Sequence, residues 1–149
     1  MTSVCWRVLV TLLALQLVAC SPRHLIVQGV ANELASQGQA PEDDLILARE
    51  ASAFYLKLSE SLLRETPGHG PLGEAVAAGF TQYAYAFVQF DAERLDAKDA
   101  TGAQKLRDRA ARLYRRAQRH ALNTFEQQTP GFAKALASDV SDTAWSAYL

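Results

Sequence analysis

The chain has 149 residues, 49% of them hydrophobic, and it carries 15 Lys and Arg against 16 Asp and Glu. This composition is typical of one modest globular domain and excludes an intrinsically disordered chain. The nearly balanced charge provides no strongly basic surface, so the sequence predicts no nucleic-acid partner.

The first 20 residues have the pattern of a secretory signal. Arg7 precedes an apolar run over residues 8–18, which is too short to span a bilayer as a stable anchor. The run ends in Leu17-Val18-Ala19-Cys20, which resembles a bacterial lipobox. That resemblance implies a lipoprotein signal peptide over 1–19, cleaved before Cys20, and lipidation of Cys20 itself. Ser21 next to it implies an outer-membrane address at the periplasmic face of the envelope.

Two alternatives to lipidation stay open, namely an ordinary signal peptide with a chance cysteine and an uncleaved anchor. Cleavage before Cys20 would remove Cys5, so the mature chain would have a single cysteine. It would therefore have no internal disulfide, no thiolate metal site and no free cysteine nucleophile.

Hydrophobic spacing after the signal predicts helices separated by turns with Pro and Gly. We expect a lipidated tether with a short helix over 20–42, followed by a helical domain over 43–149. The helices predicted within this domain cover 43–65, 72–96, 103–128 and 132–137. Strand alternation and hairpin turns are not visible in the sequence, so the predicted fold class is all-α.

Each of the three long helices has one predicted apolar face. In 43–65 this face comprises Leu47, Ala51, Phe54, Leu58, Ser61 and Leu62, and Glu60 lies outside it. In 72–96 it comprises Leu72, Val76, Phe80, Tyr83, Phe87 and Phe90. In 103–128 it comprises Leu106, Ala110, Leu113, Ala117, Ala121 and Phe125.

A short motif repeats along the chain, because Thr66-Pro67-Gly68 recurs as Thr129-Pro130-Gly131. Each copy follows a long amphipathic helix and precedes another helix start. Helix, proline turn and helix is the pattern of tetratricopeptide-like antiparallel arrays. Such arrays stack helix pairs and present a concave surface.

The stretch 79–89 is uncharged and rich in aromatic residues. Beside its apolar row, Gln82, Tyr85 and Gln89 recur at helical spacing on another face. Such a polar and aromatic stripe can line a ligand pocket or pore. It can equally form hydrogen bonds with neighbouring helices. Both interpretations stay open from the sequence.

A basic stripe follows the helix predicted over 103–128, formed by Lys105, Arg109, Arg112, Arg116 and Arg119. The simpler interpretation is the solvated outer face of a helical layer. The alternative is contact with an anion, acidic lipid or acidic partner, with Arg109, Arg112 and Arg116 as candidates.

The histidines His24, His69 and His120 are not at metal-ligand spacing with Asp or Glu, and they are interpreted as solvated surface residues. The sequence also contains no phosphate-binding loop, nucleophile elbow or zinc-protease motif. We therefore predict no metal site, no cofactor and no enzymatic activity.

Several segments together are similar to one known family. They are Cys20-Ser21-Pro22-Arg23, the helix ending in Thr66-Pro67, the stretch 79–89, residues 110–117 and Pro130-Gly131-Phe132. They resemble the T component (TatT) family of TRAP transporters, which are tetratricopeptide-like bacterial lipoproteins. The resemblance implies a periplasmic homotrimer with a pore through each subunit and a TRAP-type periplasmic solute-binding protein as partner. It implies small hydrophobic or organic-acid ligands and no catalysis.

Members of the family continue into a second helical half, which a segment like Ala144-Trp145 usually opens. We therefore expect this chain to lack the C-terminal half of the family. The predicted function is a lipid-anchored binding or scaffold component that assists TRAP-type solute transport. The alternatives are a general envelope scaffold for outer-membrane or cell-wall assembly, and a truncated fragment without function.

Overall fold

A computed structural model describes residues 22–37 and 42–138 of the chain. The elements are α1 (Pro22–Gln37), α2 (Leu45–Glu65), α3 (Gly70–Tyr83), a π-helical segment (Ala84–Gln89), α4 (Phe90–Asp96), α5 (Ala100–Gln128) and α6 (Phe132–Ala137). The described ranges contain no strand, which confirms the all-α fold class. The predicted signal peptide, Cys20 and Trp145 lie outside the described residues.

Side-chain caps explain where two long helices begin. The Asp44 carboxylate accepts hydrogen bonds from the N–H groups of Ile46 at 2.9 Å and Leu47 at 3.1 Å, so it caps α2. Asp99 accepts from the N–H of Gly102 at 2.8 Å. Because of this cap, α5 begins at Ala100, three residues before its predicted start.

The two copies of the repeated motif end helices in the same way. The N–H of Thr66 donates to the carbonyl of Leu62 at 3.0 Å at the end of α2. The N–H of Thr129 donates to the carbonyl of Phe125 at 2.7 Å at the end of α5. A further helix follows each turn, so the predicted helix–turn–helix repeat is confirmed. Of the helices described, none is both long and apolar enough to cross a membrane.

Helix α3 lies at the centre of the described fold, and α1, α2 and α5 all pack against it. A Cβ atom added to Gly73 would lie 3.0 Å from Cγ2 of Thr124, so the absence of a side chain lets α3 and α5 approach closely. The main core cluster is formed by Ala31, Leu34, Leu56, Leu72, Val76, Phe80 and Ala117.

The predicted buried face of α2 is wrong. Phe54 is 66% exposed and Leu58 is 41% exposed, whereas the buried residues of α2 are Leu56, Ser59 and Glu60. The helix carries two apolar rows, and periodicity alone does not choose between them. The row that contains Leu56 is the buried one because Gly79 of α3 has no side chain and leaves the space that Leu56 occupies.

The predicted face of the following helix is correct until the π-helical segment. Phe80 is buried, and the rings of Tyr83 and Phe87 are in edge contact with centroids 5.4 Å apart. The N–H of Phe90 then donates to the carbonyl of Tyr85, five residues earlier, which is π-helical bonding. The extra residue in this turn changes the phase, so Phe90 is 51% exposed rather than packed.

The interpretation of His69 as a solvated surface residue is also wrong, since it is only 9% exposed. Its Nδ1 accepts the N–H of Leu72 at 3.1 Å and so caps α3. With that nitrogen accepting, Nε2 carries the proton and donates to Oδ1 of Asn32 at 3.0 Å. His69 therefore ties the α2–α3 turn to the middle of α1.

Candidate functional site

A cleft of about 400 Å³ lies between α1, α2 and α3. Its apolar lining includes Leu34, Leu56, Tyr83 and Phe87. The polar groups in its lining come from Glu42, Ser52, Tyr55, Ser59 and Gln82. A largely apolar wall with a few polar groups is the usual composition of a small-molecule site.

Gly79 forms part of the cleft wall where α2 and α3 meet. A Cβ atom at this position would lie 2.6 Å from Cδ2 of Leu56, so a larger residue would displace that side chain. The small residue thus sets both the packing of Leu56 and the space left beside it. Leu56 and Ser59 then present one edge of α2 to the cleft.

The structure separates the three residues of the predicted lining stripe. Gln82 lies in the cleft wall. Tyr85 is 62% exposed and is not part of that wall. Gln89 lies against α5, where its side-chain oxygen accepts the hydroxyl of Tyr114 at 2.7 Å. The π-helical segment causes this divergence, because it begins between Gln82 and Tyr85.

An ion pair stands beside the cleft. Arg49 of α2 donates to both carboxylate oxygens of Asp91 in α4, at 2.7 and 3.1 Å. These hydrogen bonds from Arg49 lower the pKa of Asp91 below its ordinary value. The guanidinium of Arg49 also lies 5.3 Å from the ring centroid of Phe87, a cleft residue. The pair therefore links α2 to α4 across one side of the cleft.

A second and more buried polar cluster centres on Glu60, whose side chain is 6% exposed. Arg116 makes a bidentate contact with its carboxylate, including Nε to Oε1 at 2.6 Å. Lys57 Nζ donates to Oε2 at 2.5 Å, and His120 Nε2 lies 3.0 Å from Oε1. We call these four residues the Glu60 cluster. It joins α2 to α5, which have few backbone contacts with each other.

Burial alone acts to raise the pKa of Glu60, because a low-dielectric surrounding disfavours the charged form. Hydrogen bonds from Arg116, Lys57 and His120 outweigh burial and lower this pKa to about 2. Glu60 is therefore a carboxylate at neutral pH with all its near neighbours donating to it. It is suited to holding helices together rather than to general acid–base chemistry.

Phe80 of α3 lies beneath the Glu60 cluster. The guanidinium of Arg116 is 4.8 Å from its ring centroid, and the His120 ring stacks on it at 5.8 Å with an interplanar angle of 7°. His120 is half-buried, so its interpretation as a solvated residue is wrong. The aromatic core of α3 and the ionic bridge above it are thus one packed unit.

The basic stripe of α5 does not form one uniform surface. Arg116 is committed to Glu60, whereas Arg109 and Arg112 are exposed. The guanidinium of Arg109 lies 6.0 Å from the ring centroid of Tyr83. Lys105 and Arg119 are exposed as well. Arg109 and Arg112 are therefore the candidates from this stripe that face solvent.

Two features of the described residues bear on the kind of ligand that fits the cleft. Within residues 22–37 and 42–138, no cluster of His, Cys, Asp and Glu could hold a metal ion. No lysine or arginine from these ranges lines the cleft, and Glu42 contributes a negative charge. This lining favours a neutral, mainly apolar ligand that carries one or two hydrogen-bonding groups.

Sequence reasoning missed the Glu60 cluster. One signal was available, because Leu56, Glu60 and Leu63 share a helical row and a carboxylate within an apolar row requires a partner. The spacing of Arg116 and His120 places them on one side of α5. No signal in the sequence indicates that α2 and α5 meet, since their contact depends on how each packs against α3.

The part of the chain that the structure describes is thus an all-helical fold packed around a central α3, with a ligand-sized cleft between α1, α2 and α3. The sequence model of the TRAP transporter T-component family matches residues 41–149. The chain belongs to this family, which comprises transport accessories and is not a known enzyme family. Membership implies a place in a TRAP transport system and at the cell envelope.

A relative is found in Treponema pallidum (strain Nichols), where it is described as an uncharacterized protein. The two chains are 36% identical over 97 residues. This aligned part is 65% of the present chain and 30% of the relative.

Proposed function

We propose that this chain is a lipid-anchored component at the periplasmic face of the outer membrane, which assists TRAP-type uptake by binding a periplasmic solute-binding protein. The match of residues 41–149 to the T-component family is the observation that carries the proposal. The lipobox at Cys20 supports the anchor. The proposal includes assembly as a homotrimer, which analytical ultracentrifugation of the purified protein would test.

Within this function, the cleft between α1, α2 and α3 holds the solute or a part of it. Its volume of about 400 Å³ is within the range of small-molecule sites. Gln82 supplies an amide in its wall, and the serines and Tyr55 supply hydroxyl groups. Tyr85 and Gln89 lie outside this wall. If they line a ligand path, we propose that they do so at the adjoining surface of the π-helical segment.

The experiment that tests the partner is affinity capture from envelope extracts. The tagged protein is expected to retain a TRAP-type solute-binding protein, identified by mass spectrometry, and the complex should re-form from the two purified proteins. A matched variant, Arg109→Glu with Arg112→Glu, tests the exposed arginines as part of the contact. Recovery of outer-membrane or cell-wall assembly factors without any solute-binding protein would favour the general envelope scaffold instead.

If the cleft binds a ligand, a larger side chain in its wall should weaken that binding. We expect Gly79→Leu to reduce binding of the neutral apolar fluorophore N-phenyl-1-naphthylamine by about tenfold or more, because the new side chain and the Leu56 side chain that it displaces change the cleft wall. Ala78→Leu introduces the same side chain at an exposed position of the same helix turn and should leave binding unchanged. Equal binding by both variants, measured by fluorescence titration at equal fold stability, would contradict a ligand site in this cleft.

A further inference from the structure

The exposed surface of α1 changes character along the helix. Leu25 and Ile26 are each 67% exposed in its first half, and Val30 is 47% exposed. The exposed residues after Val30 are polar, namely Asn32, Glu33 and Ser36. The opposite side of α1 contributes Ala31 and Leu34 to the core. The exposed apolar residues of α1 thus run from Leu25 to Val30, in the middle of the helix, and those after Val30 are polar.

Single exposed leucines are ordinary on protein surfaces, so exposure alone assigns no role to these residues. Their position relative to the lipid attachment point is informative. Helix α1 begins at Pro22, two residues after Cys20, and two residues span at most about 7 Å. Leu25 and Ile26 follow within the next turn, about 5–6 Å farther along the helix axis.

Leu25 and Ile26 therefore lie within about 13 Å of Cys20, close enough to reach the surface of a bilayer that holds its lipid. Helices that lie at a membrane surface bury their apolar residues about 5–10 Å into the boundary between head groups and acyl chains. A lipid on Cys20 would hold the start of α1 at this boundary. Solvent exposure of Leu25 and Ile26 there would be unfavourable, whereas burial among lipids removes apolar surface from water.

We propose that the first two turns of α1 insert Leu25 and Ile26 into the interface of the bilayer that holds the Cys20 lipid. The part of α1 after Val30, whose exposed residues are polar, stands outside the lipid. This inference rests on the lipid anchor of the proposed function and adds a second contact to it. Because Ala31 and Leu34 are packed in the core, insertion of α1 fixes the orientation of the folded domain on the membrane.

The test is depth-dependent fluorescence quenching of the membrane-extracted protein in phosphatidylethanolamine–phosphatidylglycerol vesicles. Trp145 is the only tryptophan after Cys20, so Trp145→Phe provides the background. Ile26→Trp in this background is expected to be quenched about twofold or more by lipids brominated near the glycerol, and to be shielded from iodide. Glu33→Trp is the matched control on the polar part after Val30 and should show the reverse.

An Ile26→Trp chain that is open to iodide and unquenched by brominated lipid would overturn the inference. Shielding of this position in solution without vesicles would also overturn it, because a protein surface would then cover α1. Leu25→Trp serves as a second reporter if Ile26→Trp does not fold with the wild-type circular dichroism spectrum.

Failure of the lipid anchor can be recognised separately. Mass spectrometry of the Cys20 peptide shows whether acyl chains are present, and their absence would count against the proposed anchor. The Cys20 thiol can then be coupled to a maleimide phospholipid and the quenching repeated. Bromine quenching of the tethered chain would support interfacial insertion by α1, and its absence would overturn the inference.

Discussion

Replacing Glu60 by glutamine is expected to lower the free energy of unfolding at neutral pH by about 2–3 kcal/mol. The glutamine side chain has nearly the same size but no charge, so Arg116 and Lys57 lose their common partner. This expected loss of stability is small for the removal of one partner from a buried ion pair. The reason is that Arg116 is 34% exposed, so solvent screens its charge. Urea unfolding followed by circular dichroism measures the difference.

The pH dependence of this difference gives a second test. The pKa of Glu60 is lowered in the folded chain from 4.5 to about 2. A lowered pKa means that the stabilisation is fully present above the unfolded-state value and is lost as the pH falls towards the folded-state value. The stability gap between wild type and Glu60→Gln should therefore be constant above about pH 4.5 and shrink below it.

The matched control for this experiment is Glu50→Gln, which removes a carboxylate from an exposed position of the same helix. Its effect should be within about 0.5 kcal/mol of zero. Equal stabilities of the Glu60 and Glu50 variants would show that the Glu60 cluster contributes little. A gap that persists unchanged to about pH 2 would contradict the ionic origin of the stabilisation.

Replacing Phe80 by alanine is expected to destabilise the fold by about 3–5 kcal/mol. The Phe80 side chain is 3% exposed and belongs to the core cluster around α3. Alanine would leave a cavity and would also remove the ring on which Arg116 and His120 lie. Thermal and urea unfolding measure the change, and Phe80→Leu provides a milder variant that retains much of the apolar volume.

Phe54→Ala is the matched control for Phe80→Ala, because it makes the same truncation at a residue that is 66% exposed. Its expected cost is below about 1 kcal/mol. Phe54→Ala also distinguishes between the two faces of α2. A large loss for this variant would mean that α2 buries the face predicted from periodicity, contrary to the structure.

Sequence reasoning identified the fold class, the long helices and their turns because these depend on local signals. The proline motifs at Thr66 and Thr129 end helices wherever they occur, and the carboxylate of Asp44 caps the helix that follows it. The apolar row of α5 was also recognisable, since Ala110 and Ala117 recur with two-turn spacing and both are buried. Each of these features requires only neighbours in the sequence.

The candidate site was less predictable because it depends on contacts between distant segments. Gln82 could be singled out from the uncharged stretch, but its separation from Tyr85 and Gln89 depends on π-helical bonding that the spacing does not reveal. Glu60 and Arg116 are 56 residues apart, and their contact exists only because α2 and α5 meet above Phe80. The buried face of α2 likewise depends on the space beside Gly79.

The π-helical segment has a consequence for comparing this chain with its relatives. A bond across five residues encloses one more residue than the ordinary helical bond. A homologue with one residue fewer between Ala84 and Gln89 could therefore continue as a regular α-helix with the same end points. An alignment without a gap would then match Phe90 to a residue turned by about 100° around the helix axis. Structural equivalence after Gln89 is best judged from the buried position Ala92.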